Sequence, residues 1–406
     1  MKVLLCADPR SIHAAGFVAM LRELGHDIQM FSAEWHYGLE ASLRDVVLHV
    51  PLACFPGREG VHVEGQYRRA GNLLRAAFAL RPLHRVGSRL LYAVAAPGRI
   101  TRAKTFAALA TSWRPDLVIS LKMQNEGYTV SRARELGGWG APWIHFSWGT
   151  DMEFFGLHPR YVARNLPLIR KLLAGCDFHI ADTRRDLVTA RELGFRGITL
   201  GDMPATGGFD LGWLRGIERR PQEDRDTVLI KGRQGGYVGK ALNVFQAIRA
   251  EPGLYRGLRL RVFMASPEVS AEARAVREQL NLDCEVLGRL DHAELMAWYG
   301  RSICAVSASD VDGTPGFLLE AMAMGALPVH SDMSSLREWV EHGSNGLLFP
   351  VDDVAVLGKC LRTALTDTEL RQRAAERNCS IIEERVDRSK LREKLKGWID
   401  LAGGAK

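Results

Sequence analysis

"SICAVSASDVDGTPGFLLEAMAMGALPVHSD", residues 302–332, runs from a short apolar segment through a loop into an apolar helical stretch, then into a second apolar segment. A strand, a helix and a further strand in this order make a crossover, and crossovers build parallel sheets covered on both faces. Thr314 reads as the helix N-cap and Pro315 as its first residue. The free N–H groups at Gly316 and Phe317, with the positive end of the helix dipole, then form an anion site, and Gly313 and Gly316 let a ligand approach the backbone. Glu320 falls about five residues into the helix, roughly 7.5 Å along its axis, and Asp312 just before it. Diphosphate suits such a site, and flanking carboxylates suit the hydroxyls of a sugar or a ribose. The residues alone leave two readings open: Asp310 and Asp312 hold a divalent metal against the diphosphate, or Asp312 acts with Glu320 and no metal is involved.

The same rhythm extends outward in both directions. "KVLLCA" is followed by "GFVAMLRELG", and "DIQMFSA", "DLVISL", "WIHFSW" and "DFHIADT" come in turn. The pattern pauses over residues 207–226, "GGFDLGWLRGIERRPQEDRD", and restarts with "TVLIKGR", "LRLRVFMAS" and "DCEVLGRL". A chain of 406 residues fits two domains of roughly 200 each, with a cleft between them. The expected architecture is therefore α/β: two doubly wound, Rossmann-like domains, 1–206 and 227–385, joined by a linker at 207–226, with a C-terminal helix over 386–406 crossing back to the first domain. In such sheets ligands bind at the carboxyl ends of the strands.

A second loop there, "TVLIKGRQGGYVGKALNVFQAI", sets Gly232, Arg233 and two more glycines after a strand and Lys240 at the next helix start. Two cations flanking a glycine-rich turn suit a departing diphosphate. A third loop, "ADPRSIHAAGFVAML", places Gly16 near a helix start, facing the same ligand from the first domain. GxGxxG is absent, which argues against a dehydrogenase.

Hydrophobic residues at 47% and charged residues at 25% are those of a soluble globular protein. The net charge of +7 is unevenly spread: from Gln66 to Arg102 there are eight arginines and no acidic residue. On a helical projection Arg68, Arg69 and Arg75 oppose Leu73, Ala77, Phe78 and Leu80, as in a basic helix at an anionic membrane surface; a solvated basic face over a core stripe gives the same pattern. Nucleic acid is not expected, since only Tyr67, Phe78 and Tyr92 interleave the basic residues. Seven scattered cysteines without a CxxC spacing point to a reducing compartment. The start on the strand "MKVLLCA" and the lack of a long apolar run lead to the expectation of a cytoplasmic protein, peripheral on the inner face of a membrane.

These residues resemble the retaining glycosyltransferases of the group 1 type (family 4) with the GT-B fold. The likeness is specific in "GRQGGYVGK", in "CEVLGRLDHAELMAWYGRSICAVSASDVDGTPGFLLEAMAMGALPV" and in "REWVEHGSNGLLFPVDD". The family's donor site is marked by a Glu, seven residues and a Glu; here the pair reads Asp312 and Glu320. The resemblance implies that Asp312 contacts the donor sugar, Glu320 the ribose, and Arg233 with Lys240 the diphosphate, without metal or other cofactor. It also implies that the acceptor hydroxyl attacks on the face the diphosphate leaves. Family members often carry a His in the segment "PDLVISLKMQNEGY"; here it has none, so Lys122, Gln124 or Asn125 takes its place. "HFSWGTD" is similar to a His-Gly-Ser/Thr-Asp loop with Trp148 in the His position, leaving Asp151 beside the acceptor and His145 as a core residue.

The function expected is transfer of a hexose-type sugar from a nucleotide diphosphate-sugar to a hydroxyl acceptor, a glycan or a lipid-linked molecule, in polysaccharide, lipopolysaccharide or glycolipid assembly. The alternatives are a non-catalytic nucleotide-sugar-binding subunit, or an epimerase of the same fold.

Overall fold

The computed structural model describes residues 1–33, 40–49, 98–235 and 239–404. The chain forms two compact units, Met1–Gly207 with Arg392–Lys406, and Gly208–Leu391.

In the first unit β1 (Lys2–Cys6), β2 (Asp27–Phe31), β3 (Val47–His49), β4 (Leu117–Leu121), β5 (Trp143–Ser147), β6 (Phe178–Ala181) and β7 (Ile198–Asp202) make one sheet in the order β3-β2-β1-β4-β5-β6-β7. Every pairing is parallel. β4, β5 and β6 are buried along their whole length, as their apolar runs require in a sheet covered on both faces. Phe106 of helix Gly98–Trp113 meets Phe31 edge-on at 5.3 Å, and Leu172 of helix Val162–Gly175 joins the same core. The last helix, Arg388–Gly404, belongs to this unit from Arg392 onward. Arg392 pairs with Glu23 at 3.0 Å, and Lys394 Nζ donates to the Asp202 carbonyl at 2.6 Å. Trp398 lies over Gly201, where a Cβ would come within 2.8 Å of the indole.

The second unit repeats the plan. β8 (Thr227–Lys231), β11 (Arg259–Phe263), β12 (Asp283–Val286), β13 (Ser302–Ser307), β14 (Leu327–Ser331) and β15 (Leu347–Phe349) run parallel in the order β12-β11-β8-β13-β14-β15. Between β8 and β13 the winding reverses, which is the switch point where doubly wound sheets bind ligands. A small antiparallel hairpin of β9 (Gln234–Gly235) and β10 (Gly239–Lys240) follows β8. Residues 208–226 fold into this unit instead of standing apart as a linker. Phe209 bridges to Asp387, and Leu214, in the short helix Leu211–Arg215, is 1% exposed.

Arg225 fixes the helix that starts at the switch point. Its buried guanidinium donates to the carbonyls of Arg220 at 3.0 Å, Ser302 at 2.9 Å, Gly325 at 2.7 Å and Met324 at 3.1 Å. The last two close the carboxyl end of helix Gly316–Met324, so one cation satisfies carbonyls that a helix terminus leaves open. Arg225→Gln should lower stability by about 2–4 kcal/mol, because several charge-assisted bonds are lost and buried carbonyls are left unpaired. Denaturant unfolding checks this; a loss under about 1 kcal/mol would show that water replaces the guanidinium.

A buried carboxyl plays the corresponding part in the first unit. Asp151 Oδ2 accepts from the amides of Trp148 at 2.8 Å and Met123 at 2.9 Å, joining the loops that follow β5 and β4. Oδ1 has no hydrogen-bond partner among the described residues. Burial pushes the carboxyl up to about 7, against the pull of the two amides and Lys122. The folded chain therefore holds this proton more tightly than the unfolded one, and its contribution to stability falls as pH rises from about 4 through about 7. His145 and His179, buried and held neutral, act with the opposite sign, so the comparison has to be between variants. Asp151→Asn should gain on the wild type in thermal midpoint between pH 5 and pH 8; a difference that stays constant over that range would contradict the buried protonated carboxyl.

Candidate functional site

After β8 the chain turns at Gly232, whose amide donates to the Phe263 carbonyl at 2.8 Å. A Cβ at Gly232 would lie 2.8 Å from Ala265 Cα and 2.7 Å from Val262 Cγ1, so the side chain is excluded by packing against the end of β11. A Cβ at Gly239 would lie 2.3 Å from the Arg233 carbonyl oxygen. The hairpin thus folds tightly on itself, and Lys240 N–H donates to the Ala308 carbonyl at 3.0 Å. That bond joins the loop after β8 to the loop after β13.

The side chains of this junction carry opposite charges in a definite order. Arg233 is exposed, and among the described residues its guanidinium has no hydrogen bond or ion pair. Lys240 Nζ stands 3.3 Å from Asp352 and 3.7 Å from Asp310. These carboxylates raise its pKa, the hydrogen bond that Lys240 donates to Asp352 first and the charge of Asp310 second. Asp310 is therefore the partner of a lysine. Lys231, the last residue of β8, stands 5.8 Å from the Phe317 ring centre. After burial, its charge is the main cause that lowers buried His330 to about 3.

The helix N-terminus lies one residue later than the sequence suggests. Pro315, not Thr314, is the N-cap, with φ −66° and ψ 128°, and no side chain caps it. Gly316 and Phe317 head the helix, where amides have no partner within the helix itself. The Phe317 ring is buried against Phe263 and Tyr299, so only its backbone is offered to a ligand. Asp312 Oδ1 accepts from the Gly313 amide at 2.9 Å, and its carbonyl accepts from Ser335 Oγ at 2.9 Å.

Glu320 is met by residues the sequence reading did not anticipate. Its Oε1 lies 3.2 Å from His292 Nε2, and Trp213 stacks on the His292 ring at 5.2 Å. The hydrogen bond to Glu320 is the first cause raising the pKa of His292. Tyr299 is fully buried beside Glu320; burial first and the charge of Glu320 second push its hydroxyl well above the usual tyrosine range. His292 and Glu320 are 28 residues apart on different helices, and no spacing in the sequence announces the pair. A lysine closing the apolar run "TVLIK" was the one available signal for Lys231.

In the first unit Gly16 is the fifth residue of helix Ile12–Glu23, with Ser11 as N-cap, and a Cβ there would lie 3.4 Å from the Thr206 carbonyl oxygen. Lys122 has φ 71° and ψ 143°, and Asn125 has φ 67° and ψ −64°, conformations that side chains adopt only when neighbours enforce them. Trp148 is half-buried and meets His13 edge-on at 5.6 Å. Asp151 is buried at the junction of the two loops, its carboxylate turned onto backbone amides. His145 lies in the core, where Nδ1 shares a hydrogen bond with Ser120 Oγ at 2.8 Å. Arg68, Arg69 and Arg75 lie outside the described residues. Among the described residues no helix is long and apolar enough to cross a membrane.

Residues 236–379 match the family model described as glycosyl transferases group 1. Glycogen synthase of Mycobacterium tuberculosis is 37% identical over 89 residues, 22% of this chain and 22% of that protein. The chain spans less than a quarter of the length of the curated relatives it matches. Among solved structures, sucrose-phosphate synthase from Thermosynechococcus elongatus superposes with a TM-score of 0.70 at 15% identity over 100% of both chains. Anabaena HepE in complex with UDP superposes with a TM-score of 0.69 at 16% identity, over 98% of this chain and 100% of the other. At such identities the superpositions establish the fold alone, and the family match lies within the second unit. Residues 236–379 are thus similar to the group 1 glycosyl transferases, in a chain with the GT-B fold of two Rossmann-like domains.

Proposed function

We infer that the protein transfers a sugar from a nucleotide diphosphate-sugar to a hydroxyl acceptor, with retention and without a metal ion. The observation that carries this reading is that the loop bearing Arg233 and Lys240 is tied by the Lys240 amide, 3.0 Å from the Ala308 carbonyl, to the loop that leads into the uncapped N-terminus of helix Gly316–Met324. Positive side chains and unpartnered backbone amides brought to one junction stabilise an anion that gains charge as its bond to the sugar breaks. The anomeric carbon–oxygen bond to the diphosphate breaks, a bond to the acceptor oxygen forms on the same face, and the acceptor's proton passes to a diphosphate oxygen. No protein nucleophile is required by that balance. Asp312 serves the sugar and Glu320 the ribose. That Anabaena HepE was solved with UDP supports a nucleoside diphosphate in this fold.

The position of Asp310 supports the metal-free reading. A carboxylate 3.7 Å from a lysine ammonium already has its counter-charge, and a divalent cation there would have to displace Lys240. On the acceptor side the reading uses the loops of Lys122, Trp148 and Asp151. The acceptor is a glycan or lipid-linked molecule of polysaccharide or glycolipid assembly, reached at the cytoplasmic face of a membrane through Arg68, Arg69 and Arg75.

Release of free sugar from a panel of UDP-, GDP- and ADP-sugars tests the reading without knowledge of the acceptor. Arg233→Gln and Lys240→Gln should each lower kcat/KM by about a hundredfold or more, the loss typical of one removed transition-state contact. Chelator should leave turnover unchanged. Activity lost to chelator and restored by manganese, binding without turnover, or full turnover in both variants would each defeat it.

A further inference from the structure

We propose that His292 is a positioning residue for Glu320, holding the carboxylate ready for the ribose diol and so setting the preference for ribonucleotide over deoxyribonucleotide donors. The inference rests on the reading of Glu320 as the ribose contact. Three elements of the second unit form a chain of contacts that ends on this carboxylate: Trp213 stacks on His292, and His292 bonds Glu320. Glu320 projects from helix Gly316–Met324, His292 opens helix His292–Arg301, and Trp213 comes from helix Leu211–Arg215.

The start of the histidine's helix is fixed independently of any ligand. Asp291 and Glu294 form a reciprocal capping box, Asp291 Oδ1 accepting from the Glu294 amide at 2.8 Å and Glu294 Oε2 from the Asp291 amide at 2.9 Å. His292 is thereby held as the first helical residue. Trp213 lies nearly parallel to the imidazole, with 20° between the planes, and limits rotation of the ring. Nε2 then meets Glu320 Oε1 at 3.2 Å, with the ring donating to the ionised carboxylate.

A glutamate has three side-chain torsions, and a free one must lose rotamer freedom when a ligand fixes it. Here the side chain of Glu320 is 17% exposed and already held at one oxygen. A carboxylate offers about four acceptor positions, so one bond to His292 leaves room for two ribose hydroxyls. The arrangement fits orientation of the carboxylate better than competition for it. The donor function does not require a positive charge, because an imidazole protonated at Nε2 donates whether neutral or cationic. An amide donor of similar reach should therefore substitute for it.

The test is a cycle between His292 and the ribose 2′-hydroxyl. The probe is whichever of UDP, GDP and ADP binds the wild-type protein most tightly, paired with its 2′-deoxy counterpart, and affinities are read by calorimetry. The wild type should favour the ribonucleotide by about tenfold, His292→Ala by about twofold or less, and His292→Gln should recover most of the difference. Saturated sugar release should change less than about threefold in either variant, since Glu320 does not touch the breaking bond. The His292 side chain is 51% exposed, so truncation leaves the core intact. A ribo-to-deoxyribo ratio equal in wild type and His292→Ala overturns the proposal. A wild-type protein that binds none of the three nucleotides, or does not distinguish the two sugars, overturns the reading of the site itself.

Discussion

Two adjacent parallel strands whose crossovers leave in opposite directions cannot have their carboxyl ends covered by the same connection. β8 and β13 are such a pair, and the groups expected to meet the diphosphate are placed by that reversal. The loop after β8 delivers Lys231, Arg233 and Lys240, and the loop after β13 delivers Asp310, Asp312 and the helix head at Gly316. The amide of Lys240, 3.0 Å from the carbonyl of Ala308, holds the two loops in register. At the far end of the helix, Arg225 answers the carbonyls that would otherwise be buried without partners. The helix is thus closed by a side chain at its carboxyl end and left open at its amino end. For a segment meant to present amides to an anion, that asymmetry is the useful one.

Charge at the junction follows the same economy. Lys240 is held between Asp310 and Asp352, whereas Arg233 is exposed with no partner among the described residues. An incoming diphosphate would meet one cation whose position is set by carboxylates and one that still lacks a counter-charge. Neutralisation of Lys240 by its carboxylates keeps the two like charges from repelling each other. Lys231, over the face of Phe317 and near neutral His330, adds a third positive group just behind them.

The doubly wound fold was legible because apolar runs of strand length alternate with amphipathic stretches, and in parallel sheets burial makes those runs continuous. The two loops of the second unit were legible because glycine, proline and charged residues cluster where backbone geometry demands them. The reasons for individual residues were less so. Gly232 reads only as part of a glycine-rich turn, and its reason, exclusion of a Cβ by Ala265 and Val262, lies in packing that the residue type does not disclose. Thr314 reads as the cap, but Pro315 takes that place and moves the helix start to Gly316. His292 and Tyr299 face Glu320 from another helix, with Trp213 stacked on His292, and periodicity reports which face of a helix is buried, not which neighbour it meets.

The contrast between the units explains why one was easier to read. In the second, loop geometry is secured largely by backbone bonds and helix termini, which follow from a pattern of glycines and a proline that any observer of the sequence can see. In the first, the loops after β4 and β5 are secured by a side chain, Asp151, turned inward onto the amides of Met123 and Trp148. Around it Lys122 and Asn125 hold positive φ. Nothing in the residue types Lys, Asn or Asp predicts those conformations, because the surrounding packing enforces them. An inward carboxyl also carries a penalty that backbone bonds do not: it stays buried comfortably only while protonated or fully hydrogen-bonded, and one of its oxygens is unbonded among the described residues. The first unit's loops are therefore tied to the protonation of a buried group, whereas the bond that joins the two loops of the second unit, from the Lys240 amide to the Ala308 carbonyl, does not titrate.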